Sequence, residues 1–340
     1  RDIYQRSGGV TTRLSAGAIN GNGAFAATFM GASANGGKVF FVTNERLVAG
    51  DTDSSADLYQ RSGTTTKRVS AGAINGNGAF DAVFTGVSAD GGKVFFTTDE
   101  RLVAADTDAF KDVYQRSGGT TTRISAGAIN GNGAFDVSFA TASADGSVVI
   151  FGTFEQLVAG DTDTWWDEYQ RSGGVTTRVT SGAINGNGPP GAYFNGASAN
   201  ASRVFFETAE QLVAADADTK RDIYERSGGA TTRISAGAIN GSGAYDATFV
   251  GASADGTRVF FETDEQLVAT DTDSTRDIYE RSGGVTTRIS YGATNGNGAF
   301  PVDFWDTTPD GRFVFFVSSE QLVTSDTDAK QDVYVSFIYP

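Results

Sequence analysis

The stretch Asp57-Leu-Tyr-Gln-Arg-Ser62 decides the fold, because its opening keeps returning. Asp-x-Tyr begins at Asp2, Asp57, Asp112, Asp167, Asp222, Asp277 and Asp332, each 55 residues after the last with no slip. Six whole periods fill the 340 residues and a seventh begins. A fixed period of this length marks a repeat architecture. Length alone would point to two or three domains, and the repeat argues instead for one domain spanning residues 1–340.

Outward from that stretch, one period reads as four short strands. Residues 25–33 are apolar and β-compatible, and Ala34-Asn-Gly-Gly37 makes a turn. Residues 38–43 (Lys-Val-Phe-Phe-Val-Thr) are rich in β-branched and aromatic side chains. A longer connection, 44–56, leads to Asp57–Ser62, and a glycine turn reaches residues 64–70. Such runs, punctuated by Gly, Asn and Asp, are hairpin signals. Helical spacing shows only in Glu45-Arg-Leu-Val-Ala49, enough for one turn. A lone four-stranded sheet exposes two apolar faces, and radial stacking buries both. The expected fold is therefore all-β, a six-bladed β-propeller of four-stranded antiparallel blades.

The stretch Ser253-Ala-Asp-Gly-Thr-Arg-Val-Phe-Phe-Glu-Thr263, then Asp277-Ile-Tyr279 and Thr287-Arg-Ile-Ser290, resembles the WD40-like or PD40 repeat of TolB-type six-bladed propellers. Thr308-Pro-Asp-Gly-Arg-Phe-Val-Phe-Phe-Val-Ser318 is the copy most similar to its usual Ser-Pro-Asp-Gly-Arg form. The Leu-Val-Ala-x-Asp-Thr-Asp segment resembles a secreted bacterial subgroup with Leu-Val-x-x-Asp-Thr-Asn-Gly in the same place. The resemblance covers every repeat and implies the fold. Members of this family serve as binding platforms, periplasmic scaffolds and accessory domains of hydrolases, so it implies no single activity.

Composition removes whole chemistries. Without cysteine there is no disulfide, thiolate zinc site or cysteine nucleophile, and without histidine no imidazole base, ligand or pH switch. The formal charge of −15 argues against nucleic acid as a partner. No apolar run approaches the ~18 residues of a membrane span. The chain starts at Arg1 and its one methionine is Met30, which leads us to expect a processed or truncated product, secreted to the periplasm or outside the cell.

The recurring chemistry is Asp-x-Asp-x-x-x-Asp: Asp51, Asp53 and Asp57; Asp106, Asp108 and Asp112; Asp161, Asp163 and Asp167; Asp216, Asp218 and Asp222; Asp271, Asp273 and Asp277; Asp326, Asp328 and Asp332. Three carboxylates so close repel unless a cation joins them. Hard oxygen donors in a tight loop suit calcium, about one structural ion per blade, and six such ions would take −15 to about −3. The loop is not an EF-hand, since its sixth-position glycine and distal glutamate are missing. Asp at a loop start also caps backbone amides, and Asp before a strand pairs with arginine. Both roles compete with the metal.

In an up-and-down blade the loops holding Asn20, Asn75, Asn130, Asn185, Asn240 and Asn295 lie on the face of the Asp triads. We read their Asn-Gly-Asn-Gly as turn chemistry, with a ring of amides reading a sugar or peptide as the alternative. Position 30 varies as Met30, Thr85, Ala140, Asn195, Val250 and Trp305, and Trp165-Trp166 occupy a triad loop as expected contact residues. For closure, residues 333–339 are expected to pair in the last blade and residues 11–15 to add its outer strand. That leaves the strand at 2–6 to extend the blade or to pair with another molecule.

The expected function is a non-enzymatic, secreted, calcium-binding structural or protein-interaction scaffold. A lectin-like glycan-binding module is the first alternative. A calcium-dependent propeller hydrolase is the second, with Asp81, Asp136, Asp246 and Asp303 as its only candidate acids.

Overall fold

A computed structural model describes residues 1–339. Its regular structure is entirely β, twenty-five strands with no helix among the described residues. The chain gathers into two compact units, Arg1–Thr164 with Tyr169–Arg178, and Trp165–Glu168 with Val179 onward.

In the first unit β1 (Tyr4–Ser7) and β2 (Val10–Arg13) form a two-stranded sheet. A four-stranded sheet follows from β3 (Thr28–Ala32), β4 (Val39–Thr43), β5 (Asp57–Ser62) and β6 (Thr65–Arg68). The next is β7 (Val83–Val87), β8 (Lys93–Thr98), β9 (Asp112–Ser117) and β10 (Thr120–Arg123). Then come β11 (Ser138–Ala142), β12 (Val148–Thr153), β13 (Asp167–Ser172) and β14 (Val175–Arg178). The second unit holds β15 (Tyr193–Ala197), β16 (Arg203–Thr208), β17 (Asp222–Ser227) and β18 (Ala230–Arg233). Beside it lies the sheet of β19 (Ala247–Ala252), β20 (Arg258–Thr263), β21 (Asp277–Ser282) and β22 (Val285–Arg288). A three-stranded sheet of β23 (Val302–Thr307), β24 (Phe313–Ser318) and β25 (Asp332–Phe337) completes it.

The four-strand repeat is as expected, but the count is corrected. The described residues form seven sheets, five of four strands, one of three and one of two, and not six blades of four. β25 pairs with β24 as expected. β2 pairs with β1 and not with the last sheet. The cause is local: Gly8 and Gly9, at φ +55° and +81°, make a two-residue turn whose twist matches the flanking strands. A hairpin that closes over two residues forms ahead of a pairing that spans the whole chain. Residues 45–49 make no helical turn; they run as an irregular loop that buries Leu47.

Each strand pair packs by its aromatic residues. Phe41 on β4 lies on Tyr59 of β5, ring centroids 5.8 Å apart, and both are fully buried. Within each unit successive sheets meet face to face. Phe40 and Leu58 pack with Val94, Phe96 and Tyr114 of the following sheet, and Phe205 and Ile223 pack with Val259, Phe261 and Tyr279. The inner strand carries a bulge: pairing skips from Phe29 to Gly31, from Phe84 to Gly86 and from Phe249 to Gly251. The skipped residue is the variable position 30 of the repeat. A bulged residue has no cross-strand partner to satisfy, which explains why Met30, Thr85 and Val250 are interchangeable there.

The aspartate loops as a candidate cation site

The loop of Asp51, Asp53 and Asp57 is held by three side chains that follow from the hairpin of the third and fourth strands. The pairing of β5 with β6 sets Arg68 opposite Tyr59, two residues from Asp57. Arg68 Nη1 then lies 3.2 Å from Asp57 Oδ2, 3.8 Å from Asp51 Oδ1 and 3.9 Å from Asp53 Oδ2. Its Nη2 donates to the Gly50 carbonyl at 2.9 Å. The Tyr59 hydroxyl donates to Asp51 Oδ2, and the Ser70 hydroxyl donates to Asp57 Oδ1 at 2.5 Å. Asp53 Oδ1 accepts the Ser55 N–H at 2.6 Å, the Asx-turn expected of an aspartate at a loop start.

The pattern repeats. Arg123 lies 3.7, 3.9 and 3.2 Å from Asp106, Asp108 and Asp112. Arg233 lies 3.4 Å from Asp216 and 3.2 Å from Asp222, and Arg288 3.5 Å from Asp271 and 3.2 Å from Asp277. In each of these four loops the three aspartates offer oxygens within 4.8 Å of one another, Asp218 and Asp273 completing the second pair of sets. Around Asp161, Arg178 stands at 3.5 Å and the Tyr169 hydroxyl donates to Oδ2. Asp163 and Asp167 continue that loop, Asp167 as the first residue of β13. Asp326 accepts from the Tyr334 hydroxyl at 2.6 Å and Asp328 accepts the Lys330 N–H at 2.7 Å, while Asp332 opens β25, exposed.

The Asn-Gly loops close over this arrangement, on the face expected. Asn77 Oδ1 accepts from Thr52 N–H at 2.8 Å and from Arg68 at 3.0 Å. Ser242 stands in its place in a later copy, and its Oγ takes the same two donors, Ala217 N–H at 3.2 Å and Arg233 at 3.0 Å. The asparagines are therefore part of the loop lock. An earlier glycine of the same loop is required by space: a Cβ on Gly72 would sit 1.9 Å from the Leu102 carbonyl oxygen.

Carboxylates this crowded do not all stay charged. Burial pushes Asp57 up to about 7, against the hydrogen bond from Ser70 and the charge of Arg68. Burial likewise takes Asp112, Asp222 and Asp277 to about 7. The donor set, hard oxygens only, is one a metal ion would accept, and buried Asp106 Oδ1 has no hydrogen-bond partner. Yet the point facing all three carboxylates is taken by a guanidinium nitrogen. A metal ion there must stand beside the arginine or displace it. An arginine partner was expected as a competitor of the metal; those that serve, Arg68, Arg123, Arg178, Arg233 and Arg288, stand eleven residues after the third aspartate of the first five triads.

The exposed aromatics divide. Trp165 is exposed as expected, whereas Trp166 is half-buried and donates to Glu168 Oε1 at 2.9 Å. Asp81, Asp136 and Asp246 accept backbone N–H groups of Ala56, Lys111 and Arg221 at 2.7, 3.0 and 2.8 Å, and Asp303 pairs with Arg276.

No protein-family model matches this chain, and no curated protein matches it. Among solved structures it is similar to the β-propeller domain of the Trilobed protease from Pyrococcus furiosus, at 9% identity and TM-score 0.42, over 91% of this chain and 82% of that one. It is similar to oligogalacturonate lyase from Vibrio parahaemolyticus at 12% and 0.41, over 91% and 76%. Prolyl oligopeptidase B from Galerina marginata follows at 10% and 0.44, over 92% of this chain and 42% of that one, so the chain spans less than half of it. These neighbours correct the expectation of a protein that is not an enzyme, since they are a protease domain, a lyase and an oligopeptidase. Likeness at this distance assigns none of their activities here.

Proposed function

We propose that the chain is a structural or protein-interaction scaffold, a β-propeller of the PD40 or TolB type that works outside the cytoplasm, with calcium as a further clamp on its aspartate loops. One observation supports the reading: the ionisable groups that recur in the repeat hold their own loop together. Arg68, Tyr59 and Ser70 are each engaged with the triad of their repeat, and Asp81 with the neighbouring backbone. The copies of Arg68, Tyr59 and Ser70 in the four following repeats do the same, while variable residues such as Trp165 and Trp305 are exposed.

Calcium has to compete with a tethered guanidinium, so the reading requires weak sites of the extracellular kind, with dissociation constants of about 10⁻⁴–10⁻³ M. The loop of Asp326, Asp328 and Asp332 makes no ion pair among the described residues and fills first. Thermal melts in millimolar calcium, in magnesium and in chelator test this. A rise in melting temperature specific to calcium, reduced in Asp326→Asn, is expected. Identical melts in calcium and chelator remove calcium from the reading.

A further inference from the structure

The chain makes one inter-sheet contact four times over, and twice leaves half of it bare. Phe40 stacks on Phe84 at 6.2 Å between ring centroids, Phe95 on Phe139 at 5.7 Å, Phe205 on Phe249 at 5.6 Å and Phe260 on Phe304 at 6.3 Å. The first ring of each pair is fully buried under the next sheet. Phe315, one repeat after Phe260, is 36% exposed, and Phe29, one repeat before Phe84, is 55% exposed.

The face around Phe315 is more apolar than the equivalent faces of the internal sheets. Where internal sheets pair Arg203 with Glu225 at 2.8 Å and Arg258 with Glu280 at 2.9 Å, this one has Phe313 and Val335. Where they have Ser227 and Ser282, it has Phe337, whose ring lies 5.0 Å from that of Phe313. Val333 takes the position at which Ile223 and Ile278 are fully buried, yet it is 59% exposed. An apolar patch this continuous marks an interaction surface.

The matching surface is on the same molecule. Phe29 lies on β3, and β1 and β2, which precede it, are the third and fourth strands of a repeat without the inner two. We propose that the apolar face of β24 and β25 binds the Phe29 face of a second copy of this chain, so that copies associate head to tail with Phe315 against Phe29. The contact continues the stacking that the chain already uses between its own sheets, which is what selects a second copy as the occupant. It is weaker than the internal version. Ala34 donates its N–H to the Ala89 carbonyl of the next sheet at 2.8 Å, and Pro309, in the corresponding place, has no N–H to give. Association is therefore reversible.

Sedimentation of the 340-residue chain tests this with two variants, each blocking one face. Phe29→Glu blocks the first. Phe313→Arg with Val335→Glu blocks the second by restoring the ion pair of the internal sheets, so folding is preserved, as thermal melts will confirm. If Phe29→Glu fails to melt cooperatively, Phe29→Ser replaces it. The wild-type chain is expected to associate with rising concentration, each variant alone to stay monomeric, and their equimolar mixture to form a one-to-one dimer. A wild type monomeric at every concentration, whether closed on its own end or solvated, overturns the proposal. So does self-association of Phe29→Glu alone, which means that like faces pair, and so does a mixture that stays monomeric.

Discussion

Arg68 stands 3.2 Å from Asp57, across a hairpin that brings together residues eleven apart in the chain, and it is the cation of that loop. The guanidinium faces Asp51 and Asp53 as well, with only 8% of its side chain exposed. Removing one partner of a buried ion pair leaves the others uncompensated, at a cost of about 3–5 kcal/mol. Arg68→Met is therefore expected to lower the unfolding free energy obtained from urea melts by a margin of that order. Millimolar calcium should return part of the loss by taking the vacated position. An unfolding free energy within about 0.5 kcal/mol of wild type would mean that the loop carries no strain of charge.

The same crowding makes stability depend on pH. Asp57, Asp112, Asp222 and Asp277 have pKa values raised from 3.8 to about 7, with burial the largest cause in each. An acid that holds its proton more tightly folded than unfolded stabilises the fold fully below its unfolded pKa, and that contribution is lost as pH rises through the folded one. The melting temperature should fall between pH 5 and pH 7.5 and level off above. Asp255, lowered to about 2 by Ser253 and Thr257, works in the opposite sense, but only in more acidic solution. Scanning calorimetry across pH 4 to 9 checks the slope. A melting temperature that climbs through this window contradicts the assignment.

Glu168 is the misfit of the repeat. It is 4% exposed at a position where Leu58, Val113, Ile223 and Ile278 are fully buried. Burial pushes its carboxyl up to about 7, and Oε2 has no hydrogen-bond partner. An unsatisfied buried polar group costs about 1–3 kcal/mol. Glu168→Leu should therefore stabilise at pH 8, by an amount reduced by the bond lost from Trp166. The gain should shrink at pH 5, where the glutamate is protonated. Equal effects at the two pH values would show that packing, not charge, decides this site.

Most of the strand pattern was legible from local chemistry, and what was missed is non-local. Asp57–Ser62 is a strand to the residue, since an aspartate-rich loop and a glycine turn bracket a short run centred on Leu58 and Tyr59. The closure of the blades was misjudged because Gly8 and Gly9 give β1 and β2 each other as partners, a short-range preference that outweighed the count of strands. An arginine partner was expected but not placed, for Arg68 reads as a surface charge at a strand end until the register of β5 and β6 brings it beside Asp57. The aspartates were found by spacing alone, and only the pairing shows which arginine stands among them. Position 30 varied for a reason that no composition argument reveals, a bulge that leaves it unpaired.

Asn77 offers the sharpest test of the loop lock, because the chain contains its own control. Asn77 Oδ1 accepts from Thr52 N–H at 2.8 Å and from Arg68 at 3.0 Å, and Ser242 Oγ accepts the equivalent pair at 3.2 and 3.0 Å. A short oxygen at that place is enough, whichever side chain carries it. Asn77→Ser should then leave the unfolding midpoint nearly unchanged. Asn77→Ala, which removes the oxygen, should cost about 1.5–3 kcal/mol, the range for a hydrogen bond to a charged group. If the amide instead served a sugar or peptide ligand, serine and alanine would be equally harmless to stability. Urea unfolding of the two variants beside wild type separates the cases, because only the lock distinguishes serine from alanine.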